Sequence, residues 1–144
     1  MNSKSDDLRA KVVRYYEMAD QGQFPADLFA DDFQFYAPKY GIGRGLQMFG
    51  EFGAHAGVSS IIHHPEAMVI LVDGNHVAVE GTTEGVTSSG REWKGGETPA
   101  GRYASIFQFN DAGQITRMHI YVDPDFDGAD KAGFRWNRGE AQQW

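Results

Sequence analysis

Tyr15 and the histidine pair His63 and His64 have side chains suited to proton transfer. A tyrosine inside a protein can donate a hydrogen bond to a developing oxyanion, and a histidine exchanges protons near neutral pH. Adjacent residues of a strand point to opposite faces, so only one of the two histidines would face a pocket. The alternative is a tyrosine ring that fills the core and a histidine pair at a strand end beside Pro65.

Asp31 and Asp32 form a pair of carboxylates between a predicted helix and a predicted strand. Paired carboxylates are one kind of acid/base device. Aspartates in loops also terminate helices and accept backbone hydrogen bonds, and we favour that interpretation for this pair.

The stretch 114–128, QITRMHIYVDPDFDG, alternates in the manner of a β-strand. One parity carries His119 and Tyr121, and the other carries Met118 and Ile120. A base and a phenol on one face suit an active site or the outer wall of a sheet. The alternation by itself leaves both interpretations open.

The composition excludes several classes of partner and cofactor. The formal net charge is −7 and no long charged run is present, so we expect neither nucleic acid nor an anionic membrane as a partner. Without cysteine the chain has no disulfide and no thiolate ligand. The five histidines lack the spacing of a metal site. We therefore expect no metal and no cofactor.

The start of the chain lacks the apolar core of a signal peptide, and its apolar runs are shorter than a membrane span. These features predict a cytoplasmic protein. The length predicts one domain over residues 1–144, in which 124–144 form a C-terminal tail. That tail is polar but contains Phe134, Trp136 and Trp144.

Hydrophobic periodicity predicts helices first and strands afterwards, which is the pattern of an α+β fold. One face of a long antiparallel sheet must be covered, and the helices are the available cover. The predicted helices are 3–22, capped by Ser3 or Ser5 and ended by Gly22, then 24–32 and 45–57. The predicted strands are 32–38, 59–72, 76–87, 91–94, 102–109 and 114–122.

This order of elements resembles the NTF2-like superfamily, and within it the SnoaL-like and ketosteroid isomerase-like proteins. The motifs that carry the resemblance, between about Asp6 and Asp123, are VVRYYEMADQG, LFADDFQFYAP, GRG, VDGNHVAVEGTTEG and FQFNDAGQITRMHIYVD. The resemblance implies an NTF2-like (cystatin-like) cone. Three N-terminal helices would pack on a curved, mixed and mainly antiparallel β-sheet.

The resemblance carries over only part of the known catalytic sets. Tyr15 matches the tyrosine that serves the oxyanion in ketosteroid isomerases, and Ser105 matches their second donor. Ala37 stands where those enzymes have their basic carboxylate. The water-activating set of limonene epoxide hydrolase-like enzymes is replaced by Gly81, Thr83 and Ile120, and Ile120 also stands where SnoaL-like cyclases keep an acid.

The register of related sheets favours His64 as the histidine that faces the pocket. The predicted catalytic residues are therefore Tyr15, His64 and Ser105. The predicted substrate-binding residues form an apolar lining with a few hydroxyls, and Trp93 is placed at its rim. They are Phe33, Phe35, Ala37, Phe52, Thr83, Trp93, Tyr103, Phe107, Met118 and Ile120.

Two hypotheses of function follow. In the first, the chain is an isomerase, cyclase or dehydratase that acts by proton transfer on a hydrophobic carbonyl compound. In the second, it is a non-catalytic small-molecule-binding or dimerisation module on the same scaffold, because most of the relatives' catalytic positions are changed. Whether it is an enzyme stays open at this point.

A homodimer is expected under either hypothesis, since relatives pair through the outer faces of their sheets. The outer parity of the last two long strands carries Ile106, Gln108, His119 and Tyr121, an amphipathic set suited to an interface. One face of the strand in the stretch 114–128 is then interpreted as a partner surface, with Met118 and Ile120 on the opposite face and pointing inward.

Overall fold

The computed structural model describes residues 3–95, 97–130 and 132–133. Within these residues the chain forms two α-helices, nine β-strands and two short 3-10 turns at Ala26–Leu28 and Pro65–Ala67. The helices are α1 (Lys4–Asp20) and α2 (Gly45–His55). The strands are β1 (Phe29–Ala37), β2 (Gly41–Arg44), β3 (Val58–Ile62), β4 (Val69–Asp73), β5 (His76–Thr82), β6 (Glu84–Thr87), β7 (Glu92–Lys94), β8 (Arg102–Phe109) and β9 (Ile115–Val122).

Six strands form the main sheet in the order β2-β1-β9-β8-β5-β4. β1 and β9 run parallel, and the other neighbours are antiparallel. A smaller sheet has the order β3-β6-β7, and Thr83 alone separates β5 from β6. The chain therefore passes almost directly from one sheet into the other, which brings the small sheet to one end of the main one.

The first helix begins at a capping box. The Ser3 hydroxyl accepts a hydrogen bond from the Asp6 amide at 3.1 Å, and the Asp6 carboxylate accepts one from the Ser3 amide at 3.3 Å. These bonds satisfy two amides that the first turn leaves without helical partners. The helix ends before Gly22, which has a left-handed φ of 72°.

The inner face of α1 and the concave side of the main sheet form one core. Leu8, Val12, Tyr15 and Tyr16 are the buried residues of the helix. Inward side chains of the long strands meet them, and Phe107, Val77 and Met118 have no exposed surface. Apolar burial of this kind is the main stabilising contribution in a domain of this size.

The expectation of three N-terminal helices is wrong. The predicted helix 24–32 shrinks to the turn Ala26–Leu28, and β1 already begins at Phe29. Phe29 and Phe33 are both buried in the core, and an extended backbone delivers both rings there. Burial of two aromatic rings outweighs the weak helical propensity of this short segment.

The predicted strand 59–72 is two strands in different sheets. β3 ends at Ile62 and pairs with β6, whereas β4 begins at Val69 and pairs with β5. Pro65 starts the 3-10 turn between them, and His64 before it has a left-handed φ of 52°. Proline cannot donate to a strand ladder, so a break at this position follows from its chemistry.

Most of the predicted C-terminal tail, including Phe134, Trp136 and Trp144, lies outside the described residues. In the part that is described, no helix is both long and apolar enough to cross a membrane.

Replacing Ser3 by alanine should remove the capping box and lower the free energy of unfolding by about 1 kcal/mol. Ser5→Ala is the matched control, because Ser5 is exposed in the first turn and takes no part in the cap. Urea unfolding followed by circular dichroism measures both variants. Equal losses for the two serines would contradict the assignment of the cap.

Candidate functional site

A cavity of about 520 Å³ lies between α1, α2, the small sheet and the concave face of the main sheet. Its volume is within the range of small-molecule sites. Aromatic and aliphatic side chains make most of the wall, among them Phe24, Phe49, Phe52, Ile61, Met118 and Ile120. Polar side chains also occur in the wall, and the charged pair Asp20 and His63 defines its polar end, where the last turn of α1 meets the end of β3.

Asp20 and His63 form the central pair of this polar end. The His63 ring Nδ1 is 2.7 Å from the Asp20 Oδ1, and the His63 backbone amide donates to both carboxylate oxygens at 2.8 and 3.0 Å. Side-chain exposure is only 17% for His63 and 13% for Asp20. Because an ionised carboxylate only accepts hydrogen bonds, Nδ1 carries a proton and Nε2 remains available as a base.

Two tyrosines stand beside the histidine ring. The ring centroid of His63 is 5.0 Å from that of Tyr16 and 5.6 Å from that of Tyr103. Tyr16 and Asp20 are four residues apart on α1 and therefore share one face of the helix. The helix thus delivers a phenol and a carboxylate to the same point.

Both phenols stay protonated at neutral pH. Burial raises the pKa of Tyr16 well above its usual value, and a hydrogen bond with the buried Ser105 offsets part of that rise. Burial also raises the pKa of Tyr103, with a further contribution from the charge of Asp20. The Tyr103 hydroxyl is buried and has no hydrogen-bond partner among the described residues. Each phenol is therefore a neutral hydrogen-bond donor.

Part of the predicted binding set lines the cavity. Ala37, Phe52, Thr83, Tyr103, Met118 and Ile120 form part of the wall, as do the predicted catalytic residues Tyr15 and Ser105. Tyr15 is packed among the rings of Phe24, Phe29 and Phe107. The catalytic role of Tyr15 stays a prediction.

The placement of Phe33, Phe35 and Phe107 in the lining is wrong. Among the described residues that line the cavity these three rings are missing, and they belong to the core cluster instead. Alternation along a strand identifies the inward side chains. Alternation does not distinguish inward side chains that line a cavity from inward side chains that α1 and α2 cover.

Trp93 is buried, in contrast to its predicted place at an open rim. Its indole N–H donates to the Thr83 hydroxyl at 3.1 Å, and its ring centroid lies 4.7 Å from that of Phe126. Thr83 in turn donates to the carbonyl of Gly101 at 3.2 Å, so its hydroxyl is already engaged. An indole N–H inside a protein requires such an acceptor.

The segment after β9 closes one end of the cavity. Pro124 and Phe126 both contribute to the wall. Asp127 fastens the segment to the loop before β7, because its carboxylate accepts a hydrogen bond from the Ser89 hydroxyl at 2.7 Å. Phe126 of this segment packs against the Trp93 ring, so Trp93 supports this part of the cavity wall.

The prediction that His64 faces the pocket is wrong, and His63 takes that place. The His64 side chain is 36% exposed, and its ring nitrogens are 3.4 Å from the carboxylates of Glu66 and Glu84. The parity argument fails because the strand ends at Ile62, before either histidine. The left-handed backbone at His64 then turns its side chain away from the cavity.

Asp20 and Tyr16 escaped the sequence analysis as functional residues. An aspartate at a helix end is usually a terminating or capping residue, and a tyrosine next to Tyr15 fits the apolar face of the helix. The signal that points to them is the four-residue spacing of a phenol and a carboxylate on the cavity side of α1.

The fold and the cavity define an NTF2-like α+β protein. A family model described as SnoaL-like domain matches residues 12–118, so the chain belongs to the SnoaL-like domain family. Comparison with curated proteins gave no match.

Solved structures with the same fold include three informative examples. A putative polyketide cyclase from Xanthomonas campestris has a TM-score of 0.70 at 20% identity, over 84% of this chain and 93% of that one. An NTF2-like protein from Anabaena variabilis has a TM-score of 0.66 at 20% identity, over 88% and 96%. TerC, co-crystallised with polyporic acid, has a TM-score of 0.67 at 18% identity, over 81% and 92%. At these identities the likeness establishes the fold alone.

The buried phenols make stability sensitive to alkaline pH. A pKa that is raised in the folded state contributes stability below the unfolded value near 10, and this stability is lost as pH rises toward the folded value. The free energy of unfolding should therefore fall above about pH 10, with a slope of up to about 1.4 kcal/mol per pH unit for each buried tyrosine.

Tyr103→Phe should reduce the slope of the free energy of unfolding against pH by the contribution of one titrating tyrosine. Urea unfolding at pH 8 to 11 measures the slope for the wild type and for the variant. Parallel slopes in the two proteins would show that Tyr103 titrates with the same pKa in the folded and unfolded states.

Proposed function

We propose that this protein is an enzyme that transfers a proton on a hydrophobic carbonyl compound. The observation that carries the proposal is the hydrogen-bonded pair of His63 and Asp20, placed in an apolar cavity beside two neutral phenols. A base oriented by a carboxylate and adjacent to oxyanion donors is the arrangement that proton abstraction next to a carbonyl requires.

The chemical step follows from the roles of these groups. Nε2 of His63 removes a proton from the carbon beside the substrate carbonyl, and the C–H electron pair shifts to form an enolate. Tyr103 and Tyr16 donate hydrogen bonds to the enolate oxygen. The protonated His63, held by Asp20, then returns the proton to a second carbon in an isomerisation or to a leaving hydroxyl in a dehydration. In a cyclisation the enolate carbon attacks a second carbonyl, and His63 returns the proton to the alkoxide that forms.

The comparisons favour this class of reaction without choosing among its members. One structural neighbour is described as a putative polyketide cyclase, and another was crystallised with polyporic acid. A cavity wall of aromatic and aliphatic side chains suits ligands of a similar apolar kind. We therefore propose an apolar carbonyl compound as the substrate.

A non-catalytic binding module is the second candidate. It is favoured by Ala37 and Ile120, which stand where relatives carry carboxylates and which both line the cavity. Under this candidate the cavity binds a ligand and His63 and Asp20 only fasten α1 to the end of β3. Proton exchange on a bound ketone separates the two candidates.

The decisive experiment compares His63→Gln with His64→Gln. Deuterium exchange at the acidic carbon of 2-tetralone, followed by NMR in D₂O, reports proton abstraction directly. We expect His63→Gln to slow the catalysed exchange by about 10²- to 10⁴-fold, the usual contribution of a general base. His64→Gln should leave the rate unchanged because that side chain points away from the cavity.

Asp20→Asn should reduce the rate less than His63→Gln, since it alters the orientation of the base and leaves the base in place. Wild-type exchange no faster than the buffer, or equal rates for the two histidine variants, would favour the binding module.

We also propose that the chain forms a homodimer through the outer face of the main sheet. The strand register places apolar and aromatic side chains in one row across all six strands. The row is Ile42, Tyr36, His119, Ile106, Ala78 and Leu71. Ile42 is 65% and Leu71 64% exposed, which is unusual for side chains of this size.

The chemistry of the predicted contact residues suits such an interface. Burial, with the nearby charge of Arg117, lowers the pKa of His119 and keeps its ring neutral. His119 is also hydrogen-bonded to Gln34 at 2.8 Å and packs against the ring of Tyr36. Tyr121 and Ile106 are partly exposed beside it. Neutral aromatic and aliphatic groups are typical of interface centres.

Ile106→Asp should convert the dimer to a monomer, because it places a charge at the centre of the proposed interface. Light scattering at micromolar concentration measures the mass. Leu46→Asp on α2 is the control, since Leu46 is an exposed aliphatic residue outside the row. A wild-type protein with the mass of one chain would contradict the proposal.

A further inference from the structure

The cavity wall is mainly aromatic and aliphatic and holds one pair of charged side chains at its polar end, and this asymmetry restricts the ligands it can accept. On this basis, and resting on the proposed function, we propose that the site takes uncharged ligands with a hydrogen-bond-accepting oxygen. Tyr103 binds that oxygen, and the site rejects carboxylates and other anions. The inference thus names the substrate class.

The first argument is the charge of the lining. Among the described residues, neither lysine nor arginine contributes to the cavity wall, and Asp20 and His63 are its titratable charged groups. With Asp20 ionised, the pair has a charge of −1 when His63 is neutral and zero when His63 is protonated. In neither state is it net positive. A carboxylate placed beside it adds a charge of −1 that nothing in the wall compensates, which is costly in an apolar cavity. The enolate of the proposed reaction differs, because His63 gains the proton that the substrate loses and the net charge of the site stays the same.

The second argument is the hydroxyl of Tyr103. It is buried, no group in the part of the chain that the structure describes is hydrogen-bonded to it, and its residue is 6% exposed in the cavity wall. A buried donor without an acceptor is unfavourable, and nearly all such groups in folded proteins find a partner. A ligand oxygen at the polar end supplies the missing acceptor.

Gly81 explains how the phenol reaches this position. A β-carbon at residue 81 would come within 3.0 Å of the Tyr103 hydroxyl and 3.2 Å of its ring. The absence of a side chain at Gly81 leaves room for the hydroxyl. Gly81 also shares a strand register with Tyr103, so the two positions are coupled by backbone pairing.

The remaining wall determines the body of the ligand. Aromatic and aliphatic side chains form most of the wall away from this pair, and Phe24, Phe49 and Phe52 among them have no hydrogen-bonding side-chain group. A ligand whose charge or polarity extends along its length would lose its hydration there without replacement. A rigid aromatic skeleton with one carbonyl oxygen meets both requirements.

The test uses two probes of the same size and skeleton, 2-acetylnaphthalene and 2-naphthoate. The ketone carries a methyl group at the position where the carboxylate carries a charged oxygen. Isothermal titration calorimetry at pH 7.5 should give a Kd for the ketone at least about tenfold below that for the carboxylate. Tyr103→Phe should weaken ketone binding by about tenfold, the usual consequence of losing one buried hydrogen bond.

Asp20→Asn provides the second comparison, because it removes the charge that opposes anions. It should strengthen naphthoate binding and narrow the difference between the Kd values of the two probes. Tyr121→Phe, on the outer face of the sheet, is the matched control and should change neither affinity. Circular dichroism verifies the fold of each variant, and the comparison of the two probes on the wild type does not depend on any variant.

Several results would overturn the inference. They are equal or tighter binding of naphthoate to the wild type, unchanged ketone affinity in Tyr103→Phe, unchanged naphthoate affinity in Asp20→Asn, and lack of binding by either probe at millimolar concentration. Binding is independent of turnover. If the probes follow the expected order while His63→Gln exchanges protons like the wild type, the proposed reaction fails and the ligand class stands.

Discussion

The packing of the first helix against the concave face of the main sheet is the contact on which the other features depend. The inward side chains of the long strands are apolar, and they have to be covered. The helix covers part of them with Val12, Tyr15 and Tyr16. The cavity lies along the C-terminal half of the helix, where Tyr15, Tyr16 and Asp20 line it together with residues of α2 and the small sheet.

The position of the polar end follows from the same contact. The last turn of α1 comes to the entrance of the space that it leaves open, and Asp20 is the last residue of the helix. There its carboxylate meets the amide and the ring of His63 just after β3. These hydrogen bonds connect the helix to the end of β3, and the one to the ring also orients the proposed base. One interaction therefore serves both the fold and the site.

The site differs from the better-known arrangements of this superfamily in where its polar groups stand. Ala37 and Ile120 present aliphatic groups to the cavity, at positions where the family resemblance implies carboxylates. Here the carboxylate comes from the end of α1 and the base from the end of β3. In the proposed site a charged pair stands against a mainly apolar wall, and one fold can host many activities through such local differences.

The sequence by itself determined the long helices, the central strands and the family, because repeated apolar residues at helical or alternating spacing leave few alternatives. It also identified Tyr103, Ser105, Met118 and Ile120 as residues facing the cavity. Only the tertiary structure decided that residues 24–32 form a turn and a strand, and that His63 turns inward. Those outcomes depend on the burial of Phe29 and Phe33 and on the break at Pro65, which act between distant segments. The pair formed by Asp20 and His63 joins residues 43 positions apart, and local periodicity has no information about such a contact.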